Sequence, residues 1–129
     1  MAEKGFTPIQ TIPLFLNKSL SAGDTGTSDI IDLRYAAQRG SYSISCSVAA
    51  GTAGTAGTTV FTYQASPSFD GPYATPSAAV AMGTFGTSGA DNMASFTPIL
   101  CPFMKVVATQ AGTGTAGKDS IVTANLIVQ

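Results

Sequence analysis

The stretch SYSISCSV, residues 41–48, sets Tyr42, Ile44, Cys46 and Val48 in strict alternation with four serines. Side chains on a β-strand point to opposite faces with a period of two, whereas a helix would scatter these apolar residues around its axis. The stretch therefore predicts a strand with one buried and one polar face. Residues 58–66, TTVFTYQAS, repeat the pattern with Phe61, Tyr63 and Ala65 against Val60, Thr62 and Gln64. Their β-branched and aromatic content suits a pleated surface, and the segment reads as the partner strand of 41–48.

Working outward, the same logic predicts strands at 11–17 (TIPLFLN), 28–34 (SDIIDLR), 103–110 (FMKVVATQ) and 120–128 (SIVTANLIV). Pro13 assigns the first to a sheet edge, because proline has no N–H for the ladder. Small and turn-forming residues punctuate the strands at 21–28, 49–57, 66–73 and 110–118, and residues 33–39 carry a short helical turn without a cap signal. The expectation is an all-β fold: an antiparallel β-sandwich of seven to eight strands, with jelly-roll winding open as its topology. Residues 1–10 form an extended N-terminal arm and 11–129 a single domain, the size of chain that one core serves. Residues 75–95, with Val80, Met82, Phe85 and Met93 spaced by small residues, are long for a loop in a compact domain. They either hide another strand or are ordered by a partner.

Charged residues make up 10% of the 129, against roughly 25% in typical soluble proteins. The cations stand apart at 4, 18, 34, 39, 105 and 118 with a formal net charge of −1, so no basic stripe exists for nucleic acid. Weak charge favours association, because like-charge repulsion helps to keep proteins monomeric. No run of about 18 apolar residues spans a membrane, and the start lacks a secretory layout, so a leaderless product with neither membrane nor nucleic-acid partner is expected. Cys46 and Cys101 lie in apolar-patterned segments and read as buried thiols, with a disulfide between neighbouring strands as the alternative.

The stretch GTGTAGKD, 112–119, approaches a phosphate-binding loop, but Asp119 stands where a Ser or Thr belongs, and a strand pattern follows where a helix is required. Its near-twin GTAGTAG, 51–57, has no lysine. Both are expected to be hairpin tips in which glycine takes positive φ and threonine bonds locally. No cofactor or metal site is assigned. There is no histidine, which removes the commonest general base, and Asp29 and Asp32 are expected on opposite faces of a strand rather than as a catalytic pair. The chain reads as a non-enzyme. Asp24, Asp91 and Asp119 lack the spacing of a calcium loop. Asp70-Gly71 marks a turn between Phe69 and Tyr73, two aromatics that a carbohydrate-binding sandwich would use as a platform.

As a unit, YSISCSV, the turn from Gln64 to Tyr73 in QASPSFDGPY, and PFMKVVAT at 102–109 resemble small proteins of bacteriophage structural modules, over roughly residues 40–129. The chain is similar to head decoration or accessory virion proteins. That resemblance implies a non-enzymatic subunit of the virion, made in the bacterial cytoplasm. It implies binding to the major capsid or a neighbouring virion protein, with a homo-oligomer, first a trimer, as the assembly. Phe6, Ile9, Val80, Met82, Phe85 and Met93 are the candidate interaction residues, being apolar and without a partner in the strand pattern. A carbohydrate-binding module and a self-assembling extracellular or surface subunit are the alternatives.

Overall fold

Tyr42–Ala50 is extended, and Ile44, Cys46 and Val48 are buried while Ser43, Ser45 and Ser47 are half-buried on the other face. The alternation thus does what its period dictates. The computed structural model describes residues 8–21, 23–36, 39–50, 58–76, 82–85, 91–110 and 119–129. Among them run β1 (Gln10–Ser21), β2 (Thr25–Thr27), β3 (Ile31–Asp32), β4 (Tyr42–Ala50), β5 (Thr59–Ser66), β6 (Gly83–Phe85), β7 (Asp91–Phe96), β8 (Phe103–Gln110) and β9 (Asp119–Val128). All pairings are antiparallel, and two sheets pack as a β-sandwich. One sheet has the order β1-β9-β4-β7 and the other β2-β8-β5-β6, with β3 also on β8. Because β2 and β3 pair with successive stretches of β8, the nine strands occupy eight lanes.

The core is where the inner faces meet. Ile44, Cys46, Val48, Val122, Ala124, Leu126 and Val128 come from the first sheet, and Phe61, Tyr63, Met104, Val106 and Ala108 from the second. Phe15 of β1 reaches across to Phe61 with ring centroids 6.3 Å apart. Each large apolar side chain buried this way contributes about 1.5–3 kcal/mol. Pro13 does lie on an edge strand, and that strand is further interrupted by register shifts between Pro13 and Phe15 and between Phe15 and Lys18. Asn17 holds φ at 50°, a left-handed conformation that asparagine tolerates better than most side chains. Its N–H donates to Thr123 Oγ1 (3.1 Å), tying the irregular edge back to β9.

Several expectations change. The strands β4 and β5 are not partners: they lie in different sheets, β4 between β9 and β7, β5 between β8 and β6. The two Gly-Thr-Ala stretches, 51–57 and 112–118, read as hairpin tips, fall outside the described residues; the strands on either side of each, β4 and β5 and then β8 and β9, lie in different sheets. The described ends of these strands pair as Ala50 with Ser120 and Thr59 with Gln110.

The strand expected at 28–34 shrinks to Ile31–Asp32, while Thr25–Thr27, inside a stretch read as punctuation, is a strand. Ser28 bridges the two. Its N–H donates to the Val106 carbonyl (2.8 Å) and its hydroxyl accepts from the Val106 N–H (2.9 Å), standing in for a backbone carbonyl. The helical turn expected at 33–39 reduces to one turn at 34–36, closed by Ala36 N–H to the Leu33 carbonyl (3.4 Å). The 75–95 region holds β6 and the start of β7. Cys46 and Cys101 are thiols rather than a disulfide, the first buried and the second half-buried.

Two stability predictions follow from this bonding. Ser28→Ala leaves the buried Val106 N–H without its acceptor and lowers unfolding free energy by about 1–3 kcal/mol in urea titration. Thr59 is fully buried and its hydroxyl has no hydrogen-bond partner. Thr59→Val keeps the shape, removes the orphan hydroxyl, and raises stability by about 1 kcal/mol in the same assay.

Candidate functional site

The short turn between β1 and β2 fixes which strand ends coincide. Asp24 N–H donates to the Ser21 carbonyl, the Asp24 carboxylate accepts from the Ser21 N–H (3.1 Å), and Gly23 N–H donates to the Gln110 carbonyl. At the opposite end lie Gln10, Tyr42, Phe96 and Val128 of one sheet and Asp32, Ser66 and Phe103 of the other. Five of the exposed large apolar residues, Ile9, Tyr35, Phe69, Ile99 and Leu100, sit in segments at this second end.

Of the residues expected to make contacts, Ile9 is 66% exposed and Met93, on edge strand β7, is 64% exposed. Ile9 borders a shallow groove of about 280 Å³ with Tyr42, Ile127 and Val128. Met82 is corrected: at 1% exposure it is core, because its N–H pairs with the Phe61 carbonyl (2.9 Å) and draws it against β5. Phe6 and Val80 fall outside the described residues, and of Phe85 only the backbone is described, paired with Thr59.

Leu16, Tyr35, Ile99 and Leu100 were not legible as exposed. Leu16 is turned out by the register shift in β1, which no period reveals. Ile99 and Leu100 lie between Pro98 and Pro102 outside any strand, and the Ile99 N–H is pinned by the hydroxyl of buried Tyr63 (2.9 Å). The flanking prolines were the available signal.

One ion pair dominates this end. Arg34 makes a bidentate pair with Asp32, Nε to Oδ1 at 3.0 Å and Nη2 to Oδ2 at 2.8 Å, and its backbone N–H also donates to Oδ1. The guanidinium lies 5.1 Å from the Phe103 ring centre and 5.6 Å from that of Tyr35. Phe69 meets Phe103 edge-on at 5.8 Å, and its carbonyl accepts from the Tyr73 hydroxyl (2.8 Å). Lys105 Nζ sits 4.5 Å from the Tyr73 ring centre. A Phe69–Tyr73 platform is therefore half taken, since Lys105 covers a face of Tyr73. Desolvation first, and the Asp70 charge second, push the Tyr73 phenol up.

Asp32, paired with arginine, is not one of two facing carboxylates, and among the described residues no group of three His, Cys, Asp or Glu side chains could hold a metal ion. Asp24 is occupied in its turn, and the side chains of Asp91 and Asp119 are not described. Compared with known protein families and with characterised proteins, the sequence matches none.

Hydrogen bonds from Arg34 hold the Asp32 carboxyl below the ordinary aspartate range. The sign follows: the pair's small, solvent-screened contribution is present above that range and is lost as pH falls through the depressed value. Carbon-detected NMR titration is expected to find the Asp32 midpoint below that range, and Arg34→Ala to return it there.

Proposed function

We propose that this chain is a non-enzymatic structural subunit of a bacteriophage virion, a capsid decoration or stabilising protein. It binds the major capsid or a neighbouring virion protein and its own copies, with a trimer as the assembly, and it is made in the bacterial cytoplasm. The observation that carries the reading is the lane order. Numbering the eight lanes along the chain gives 1-8-3-6 in one sheet and 2-7-4-5 in the other. We read that order as jelly-roll winding, an architecture that serves viral capsids among other roles.

Surface chemistry supports the same reading. The outer face of the β1-β9-β4-β7 sheet presents Ser43, Ser45, Thr123, Asn125, Ile127 and Met93, with no charged side chain among the described residues between its two ends. Its described side chains set no like charges against a copy of itself or a neutral partner. Exposed Ile9, Leu16, Met93 and Leu100 supply apolar area for contacts whose affinity comes from burial and not from a polar site.

Sedimentation equilibrium of the purified protein is expected to return three times the monomer mass. Co-sedimentation with assembled capsids is expected to deplete it from solution. A monomer that also stays in the supernatant refutes the proposal.

A further inference from the structure

The described end that carries Tyr35 and Phe69 has chemistry that the virion reading does not use. Tyr35 is 75% and Phe69 58% exposed, yet both are held. Arg34 lies against the Tyr35 ring and is itself locked by Asp32. Phe69 is fixed by the ring of Phe103 and by the Tyr73 hydroxyl on its carbonyl. Its loop is braced further by the Ser66 hydroxyl donating to the Ser68 carbonyl (2.8 Å) and the Ser68 hydroxyl to the Gly71 carbonyl (3.0 Å). Restrained aromatic rings in solvent lose little further freedom on meeting a ligand, and their apolar surface gains by being covered.

We infer that Tyr35, Phe69 and the Asp32–Arg34 pair between them form a binding site for a neutral oligosaccharide. Sugar rings carry an apolar C–H face and a rim of hydroxyls that both donate and accept. The aromatic rings match the face. The planar ion pair matches the rim: after its bonds to Asp32, Arg34 retains guanidinium N–H donors, and the carboxylate retains lone pairs. Side-chain exposures of 53% for Arg34 and 43% for Asp32 leave these groups within reach.

Charge selects the ligand class. Arg34 is paired with Asp32, and the remaining charges beside the rings, Lys105 stacked on Tyr73 and Asp70 next to Phe69, are of opposite sign, so the cluster has no net charge to favour an anionic or a cationic ligand. A second feature adjoins the site. A groove of about 180 Å³ is lined by Pro67, Ile99 and Leu100 together with Ser66, the ladder partner of Phe103, and Pro102, which precedes Phe103 in the chain. It gives a chain of sugars, rather than a single one, a place to continue. This inference stands apart from the virion proposal, since neither the lane order nor the neutral sheet face enters it.

Isothermal titration of the full chain with maltohexaose, cellohexaose and chitohexaose tests it. Saturable binding of at least one is expected, about tenfold weaker in Tyr35→Ala and in Phe69→Ala, with thermal midpoints of both variants close to the parent. Both side chains are largely exposed, so folding is expected to survive their truncation. Absence of heat with all three sugars overturns the inference, as does binding that persists undiminished in the double variant. If the double variant instead loses only capsid co-sedimentation, the surface serves protein contact and the sugar site is refuted.

Discussion

The constraint on which the rest depends is that two alternating surfaces must be buried against each other. Ile44, Val48, Val122 and Leu126 face Phe61, Tyr63, Met104 and Val106, and neither set can be hidden within its own sheet. A strand has only two sides, so a serine-rich outer face leaves the apolar one a single destination. Phe15 against Phe61 shows how far this reaches, since even an irregular edge strand contributes an aromatic ring to the interior.

Everything around the core is an adjustment to that requirement. The chain must change sheet repeatedly to place strands on both sides of one interior, as it does from β1 to β2 across the short turn at Gly23 and Asp24. Where the edge lane breaks between β2 and β3, the Ser28 hydroxyl preserves the pairing of Val106 that the backbone alone would have lost. At edge strand β1, Pro13, the two register shifts and left-handed Asn17 make a poor template for another strand. The β4–β7 register shows no such shift over its paired residues, so the two edges of that sheet present different surfaces.

Sparse charge gives the molecule its other character. With only 10% of its residues charged, and Arg34 at the aromatic end paired with Asp32, the molecule leans on hydroxyl and amide groups to make much of its surface polar. Such a surface is compatible with close packing against neutral partners, and it concentrates recognition in the few places where rings are exposed. Those rings lie in segments that follow or precede strands, positioned by β3, β5 and β8 rather than by their own local pattern.

Alternation made the strands legible: 103–110 coincides with β8, and 41–48, 58–66 and 120–128 differ from β4, β5 and β9 by a residue or two. It also made their inward faces legible, and Pro13 marked an edge, because each of these rests on chemistry within a few residues. Which strands pair was not legible, since β4 offers the same backbone groups to β5 as to β9 and only simultaneous burial of all the faces chooses. For the same reason Met82 was indistinguishable from Met93: both are methionines among small residues, and it is the long-range backbone pairing of Met82 with Phe61 that sets one of them against the core. The cluster of Asp32, Arg34, Tyr35, Phe69 and Phe103 draws on segments some seventy residues apart, brought together where Asp32 pairs with Phe103. Local periodicity thus determined the all-β class and the buried face of each main strand, while the sheet order and the aromatic end came from long-range pairing, which no short window of sequence contains.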